Sequence, residues 1–192
     1  MAKKIILATT NKGKLKEFQE ILKDYEIIPM GQAGFKAEIE ETGKTFSENA
    51  LIKAKTVAES LGVPALADDS GICVDALGGA PGIYSARYSV EGTDAANREL
   101  LLKNMEGKTD RRARFVCALV YYEPNGKTLS VSGETEGEIL FKEDGENGFG
   151  YDPIFFSLDL KKSMGQATSD EKNGVSHRAR AIAEMQALLK SL

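Results

Sequence analysis

The chain has 192 residues, enough for one domain with a sizeable core, and carries a formal charge of −4 at pH 7 with no basic tail. That balance argues against duplex nucleic acid as a partner, because phosphate-backbone binding relies on broad cationic surfaces, whereas a small phosphorylated ligand needs only local lysines and a metal ion. Two cysteines and one histidine argue against a zinc site, no apolar run approaches the about 20 residues of a membrane helix, and polar TTNKGK follows KK too soon for a signal peptide. The expectation is a cytoplasmic protein with no membrane partner, its Cys73 and Cys117 reduced and buried.

In chain order, KKIILAT (3–9) reads as a buried strand, and the apolar spacing of Leu15, Phe18, Ile21 and Leu22 predicts a helix over 12–24. The junction resembles a phosphate loop but fails the Walker pattern: Ala8 stands where the first glycine is needed and Leu15 replaces the magnesium-binding hydroxyl. A strand-turn-helix junction still points backbone N–H groups outward, and the helix dipole favours an anion there. Thr9, Thr10, Asn11, Lys12, Gly13 and Lys14 add donors and charge, so this stretch is a candidate phosphate site; a capped helix with solvated lysines is the alternative.

A short strand follows near 26–29. EIEETGKTFSENA (38–50) sets Glu38, Glu40 and Glu41 before a helix over 46–62, whose start is marked by the capping pair Thr45 and Glu48 and whose end is marked by Gly62 and Pro64. The acidic stretch is either a solvated loop or a carboxylate source for Mg²⁺, which prefers oxygen donors and keeps several waters. Asn49 and Lys53, four apart, share one helix face and can hold a phosphate, or lie on the surface.

PALADDSGICVDAL (64–77) reads as a strand, or a pair of strands bent around Asp68–Gly71. Adjacent strand residues face opposite ways, so one aspartate can serve chemistry while the other makes structural hydrogen bonds. ALGGAPGIYSARY (76–88) is a constrained loop bearing Tyr84, Arg87 and Tyr88, suited to an interface, a site wall or a turn. Residues 94–105 read as helix. ARFVCALVYY (113–122) and TLSVSGETEGEIL (128–140) flank an Asn-Gly turn and read as a hairpin.

In ENGFGYDPIFF (146–156), Phe149 or Tyr151 can stack on a purine or pack in the core. A terminal helix from about 176 to 191 presents Ile182, Met185, Leu188 and Leu189 on one face, with Ser176 as its cap. His177 and Arg178 then fall in its first turn, where positive charge opposes the dipole, which points to an anionic or acceptor-rich ligand. No Ser-His-Asp or Cys-His nucleophile can be assembled. The pattern is α/β, with a hairpin-rich section between α/β parts: one domain over 1–192 in two lobes, for which a central active-site cleft would be suitable.

The motifs ATTNKGK, EETGKTFSENA, ADDSG, LGGAPGIYSARY, GFGYDPIF and SDEKNGVSHR occur in this order, and together they resemble the inosine triphosphate pyrophosphatase family, in particular its bacterial branch acting on non-standard purine nucleotides. The resemblance runs from residue 5 to about 185. It implies a two-lobed mixed sheet flanked by helices, a homodimer, and Mg²⁺-dependent hydrolysis of purine nucleoside triphosphates (ITP, dITP, XTP) to monophosphate and pyrophosphate, clearing deaminated purines from the nucleotide pool. By position, Thr9–Lys14 would hold the triphosphate. Asp69 would be the catalytic acid-base residue and a metal ligand, with Glu41, or its neighbour Glu40, as the second ligand. Asn49 and Lys53 would support the phosphates, and Ser70 would meet the substrate. Phe149, Gly150, Tyr151 and Asp152 would line base and sugar, and Lys172, His177 and Arg178 would complete the base pocket. Two other readings fit the residues: a pyrophosphatase for modified pyrimidine nucleotides, and a nucleotide-binding regulator without turnover.

Overall fold

The computed structural model describes residues 3–191. Among them, seven strands form one mixed sheet in the order β2-β1-β3-β4-β5-β6-β7: β1 Lys3–Leu7, β2 Tyr25–Pro29, β3 Ala65–Val74, β4 Arg112–Tyr122, β5 Thr128–Ile139, β6 Phe155–Ser157 and β7 Lys162–Ser163. Strand β1 runs parallel to both β2 and β3, whereas β6 is antiparallel to β5 and β7. The helices are α1 Lys12–Ile21, α2 Phe46–Leu61, α3 Asp94–Asn104, α4 Ser169–Val175 and α5 His177–Lys190. None is long and apolar enough to cross a membrane among the described residues.

The residues divide into two compact units. The first comprises the chain up to Asp69, Cys117–Ser132 and the chain from Ala179 onward. The central strands β1 and β3 carry apolar residues on both faces, as buried parallel strands do. Alternation sorts the side chains of β1, β3 and β4: Ile5, Leu7, Leu66, Cys117, Leu119 and Tyr121 pack with Phe18 and Leu22 of α1 and Ala181, Ile182, Met185 and Leu189 of α5. The intervening Ile6, Ala65, Ala67, Ala118, Val120 and Tyr122 pack with Ala50, Ala54, Val57 and Ala58 of α2. The small residues of α2 allow its close approach to the sheet. Its capping box is complete at Thr45 and Glu48, and Gly62 ends it in the left-handed conformation.

The second unit comprises Ser70–Val116 and Gly133–Arg178. Its core joins Ile72 and Val74 of β3 to Leu101 and Met105 at α3, Phe115 of β4, and Ile154 and Phe155. The rings of Phe115 and Phe155 lie 4.5 Å apart between centroids.

Of the two readings of 64–77, the single strand holds: β3 runs unbroken for ten residues between β1 and β4, and the 3₁₀ turn at Gly82–Arg87 packs against it. Ser85 Oγ accepts from Ile72 N at 2.9 Å and donates to Gly82 O at 2.6 Å. The terminal helix is also preceded by a separate short one. Helix α4 starts at a second capping box, Thr168 with Glu171, and extended Ser176 separates it from α5.

Gly71 is the close-approach position in β3. A Cβ there would collide with Gly82 O and Ser85 Oγ. Gly71→Ala is therefore expected to destabilise the fold by about 1–3 kcal/mol through overpacking, read as a lower urea midpoint with an unchanged m value.

Candidate active site

The pleat that sorts the apolar side chains of β3 also separates its two aspartates. Leu66 and Asp68 share one face, Ala67 and Asp69 the other. Asp68, 1 % exposed, forms an ion pair with Lys14 of α1 and accepts a hydrogen bond from Cys117 Sγ at 3.0 Å. Asp69 faces α2, where Lys53 Nζ donates to its Oδ1 at 2.9 Å and Asn49 Nδ2 lies 3.4 Å from its Oδ2. Lys53 Nζ is shared with Glu41 Oε1, also at 2.9 Å.

Burial pushes the Asp69 carboxyl above the usual range, against the opposing pull of Lys53 and Lys14. Burial works to strip Lys53 of its charge, but Asp69, Glu41 and Asp68 outweigh it and hold its pKa above the ordinary lysine value. Lys53 thus keeps its charge while Asp69 holds its proton more tightly than an exposed aspartate. Glu41 and Asp69 bring two hard carboxylate oxygens to one cation, a donor set that fits Mg²⁺, which takes one or two carboxylates and completes its shell with water and phosphate. Among the described residues no group of three or more His, Cys, Asp or Glu side chains is arranged to hold a metal alone. Glu40, the alternative ligand, is exposed and forms no ion pair among the described residues.

Asn49 of α2, expected to support phosphates, is bonded within the protein. It is fully buried, and its Oδ1 accepts from Gly43 N at 2.8 Å. Its amide ties the loop after Glu41 to α2 and reaches Asp69. A Cβ at Gly43 would collide with that amide, which explains a glycine there.

At the start of α1, Asn11 caps the helix by accepting from Lys14 N at 3.0 Å, and Thr9 Oγ1 accepts from Asn11 N at 3.1 Å. The N–H groups of Thr10, Lys12 and Gly13 have no acceptor among the described residues. With Lys12 exposed beside them, they leave donors and positive charge at a helix start, a place where the helix dipole favours an anion.

The second unit carries the other candidates. Arg178 is 1 % exposed, and its Nη2 donates to Ser70 Oγ at 2.8 Å. Its Cζ lies 5.7 Å from the centre of the Phe149 ring, and Lys172 Nζ lies 4.5 Å from the same ring. Lys172 also donates to buried Asp152 at 2.5 Å, and Asp152 accepts from Phe149 N at 2.9 Å. His177 is buried and stacks on Phe115, centroids 4.9 Å apart and planes 15° from parallel. Gly150 is held through its backbone, by Asp94 at its N–H and Arg98 at its carbonyl. Tyr151 takes the core-packing alternative. It lies in the core, 5 % exposed, and its hydroxyl donates to Ser85 O at 2.7 Å, whereas Phe149 is half-buried. Burial pushes the Tyr151 hydroxyl well above its ordinary pKa, so it remains a donor.

Sequence reasoning missed the Asp68–Lys14–Cys117 and Asp152–Lys172 pairings, because partners far apart in sequence leave no local signal. It also missed α4, although Thr168 and Glu171 carry the same capping signature that marked α2.

Comparison with known proteins gives a coherent result. The Ham1 family model matches residues 5–188. The chain is 50 % identical over 186 residues to a dITP/XTP pyrophosphatase of Desulfotalea psychrophila, covering 95 % of this chain and 83 % of that one. It is 49 % identical over 194 residues to a dITP/XTP pyrophosphatase of Bacillus subtilis, covering 98 % of each. Among solved structures, the Staphylococcus aureus Ham1 protein superposes with a TM-score of 0.89 at 44 % identity, covering 98 % of this chain and 99 % of that one. A HAM1 protein from Coxiella burnetii superposes with a TM-score of 0.90 at 41 % identity, covering 99 % and 100 %.

Lys172→Met removes the ammonium from a carboxylate whose side chain is 3 % exposed. Breaking such a pair is expected to cost about 3–5 kcal/mol. Adding Asp152→Asn should recover part of that loss in the same denaturation measurement.

Proposed function

The chain belongs to the Ham1 family, and from that premise we propose that it is a nucleoside triphosphate pyrophosphohydrolase, acting with Mg²⁺ on ITP, dITP and XTP to yield the monophosphate and pyrophosphate. The observation that carries this reading is the buried carboxylate of Asp69, held by Lys53 and Asn49 and joined through Lys53 to Glu41.

Thr10, Lys12 and Gly13 N–H groups, with the Lys12 ammonium, take the triphosphate oxygens at the start of α1. Lys14, fixed by Asp68, and Lys53 add positive charge. Glu41 and Asp69 would hold Mg²⁺, which supplies neutralisation of the phosphate charge. Phosphoryl transfer depends mostly on positioning and electrostatic stabilisation, which these fixed groups provide. Asp69 orients a water and accepts its proton as the water oxygen bonds to the α-phosphorus and the bond to the bridging oxygen breaks, releasing pyrophosphate.

Base selection follows from donors. Phe149 offers a ring face to a purine, while Arg178 and His177 supply N–H groups. A 6-oxo purine presents an acceptor at C6 where adenine presents an amine. Matching the oxo group satisfies the donors, and an adenine would leave them opposed, a difference that discriminates more strongly than a missing methylene. The same reading includes a homodimer, supported by the exposed apolar side chains of Tyr84 and Val90 in one loop.

Purified protein with Mg²⁺ should convert ITP and XTP to monophosphate and pyrophosphate, with little turnover of ATP. Diphosphate and orthophosphate as products would place cleavage at the γ-phosphate and overturn the assignment of Asp69. Asp69→Asn is expected to lower kcat by at least about a hundredfold.

A further inference from the structure

The backbone beside Phe149 is gripped by a helix that bears none of the groups assigned to the substrate. Asp94 and Arg98 lie one turn apart on α3 and so share a face. Asp94 Oδ2 accepts from Gly150 N at 2.8 Å, and Arg98 Nη1 donates to Gly150 O at 2.9 Å. Both polar groups of a single residue are thus taken by one helix face. Arg98 is itself oriented by Glu143, whose Oε1 accepts from Nε at 2.8 Å. With the Asp152 carboxylate on Phe149 N at 2.9 Å, three charge-assisted hydrogen bonds fix two consecutive residues. Gly150 sits at φ 60°, a left-handed turn that glycine alone adopts without strain and that must be held to keep its shape. The arrangement leaves the Phe149 ring half-buried, with Lys172 and Arg178 near it.

We propose that Asp94 and Arg98 are positioning residues that clamp the Gly150 backbone and so set the Phe149 ring for base binding. The pair acts through Phe149 and touches no substrate. The proposal rests on the reading of Phe149 as the base-stacking residue of a purine nucleotide pyrophosphohydrolase.

The test compares wild type with Asp94→Ala, Arg98→Ala and the conservative Asp94→Asn, which keeps an acceptor for Gly150 N–H. Steady-state kinetics on ITP with Mg²⁺ are combined with product inhibition by IMP, which carries the base, and by pyrophosphate, which does not. The alanine variants are expected to raise KM for ITP and Ki for IMP by about tenfold, the scale of a lost charge-assisted hydrogen bond. Their kcat and their Ki for pyrophosphate should stay within about twofold, and Asp94→Asn should restore most of the IMP affinity. Equal loss of IMP and pyrophosphate binding, or lower kcat with unchanged KM, would show a merely structural role and overturn the clamp. Unchanged constants in the alanine variants would overturn it as well. Wild-type protein that turns over no purine triphosphate would instead overturn the functional reading and the clamp with it.

Discussion

Two buried carboxylates on adjacent residues of one strand constrain everything around them. An ionised side chain out of water needs a partner, since the desolvation penalty is several kcal/mol per ion even after relaxation. The pleat of β3 sends Asp68 and Asp69 to opposite faces, so each has its own direct ion-pair partner. Asp68 requires α1, whose Lys14 reaches it, and Asp69 requires α2, whose Lys53 does. Both helices are held by apolar contacts to the same strands, but the ion pairs fix where their charged ends come to rest. Lys14 is in this way anchored by the carboxylate of Asp68, and the Asp69 carboxylate is anchored by Lys53.

The same logic recurs in the second unit with other residues. Asp152 is buried with Lys172, and it also accepts from Phe149 N, so one carboxylate fixes a cation and a backbone turn together. Arg178 is among the largest fully buried side chains, an unusual fate for a guanidinium, and it binds Ser70, the residue that follows Asp69 on β3. Rigid polar networks of this kind cost stability to build but hold their members within the small tolerances that a binding site requires.

The glycines in these motifs belong to the same account. Gly43 makes room for the Asn49 amide and Gly71 for the Ser85 loop, while Gly148, at φ 78°, has no space for a Cβ beside the Asp152 carboxylate. Each permits a polar group to come within hydrogen-bonding distance of backbone that a side chain would otherwise cover. The family relationship then assigns a chemistry to groups whose placement already follows from burial, charge and close approach.

What the sequence determined by itself was local. The apolar runs of KKIILAT and ARFVCALVYY, helical spacing in 46–62, the capping pair at Thr45 and Glu48 and the Asn-Gly turn are short-range signals, and the structure has strands, a helix and a strand pair at those places to within a few residues. The pleat rule also predicted that Asp68 and Asp69 would part company. Only the tertiary structure decided which lysine each would meet, that Asn49 would be spent inside the protein, that Tyr151 would enter the core, and that Asp94 and Arg98 would reach Gly150. Those outcomes depend on segments tens of residues apart being packed side by side, and the spacing of residues along a chain carries no record of which distant segment lies against it.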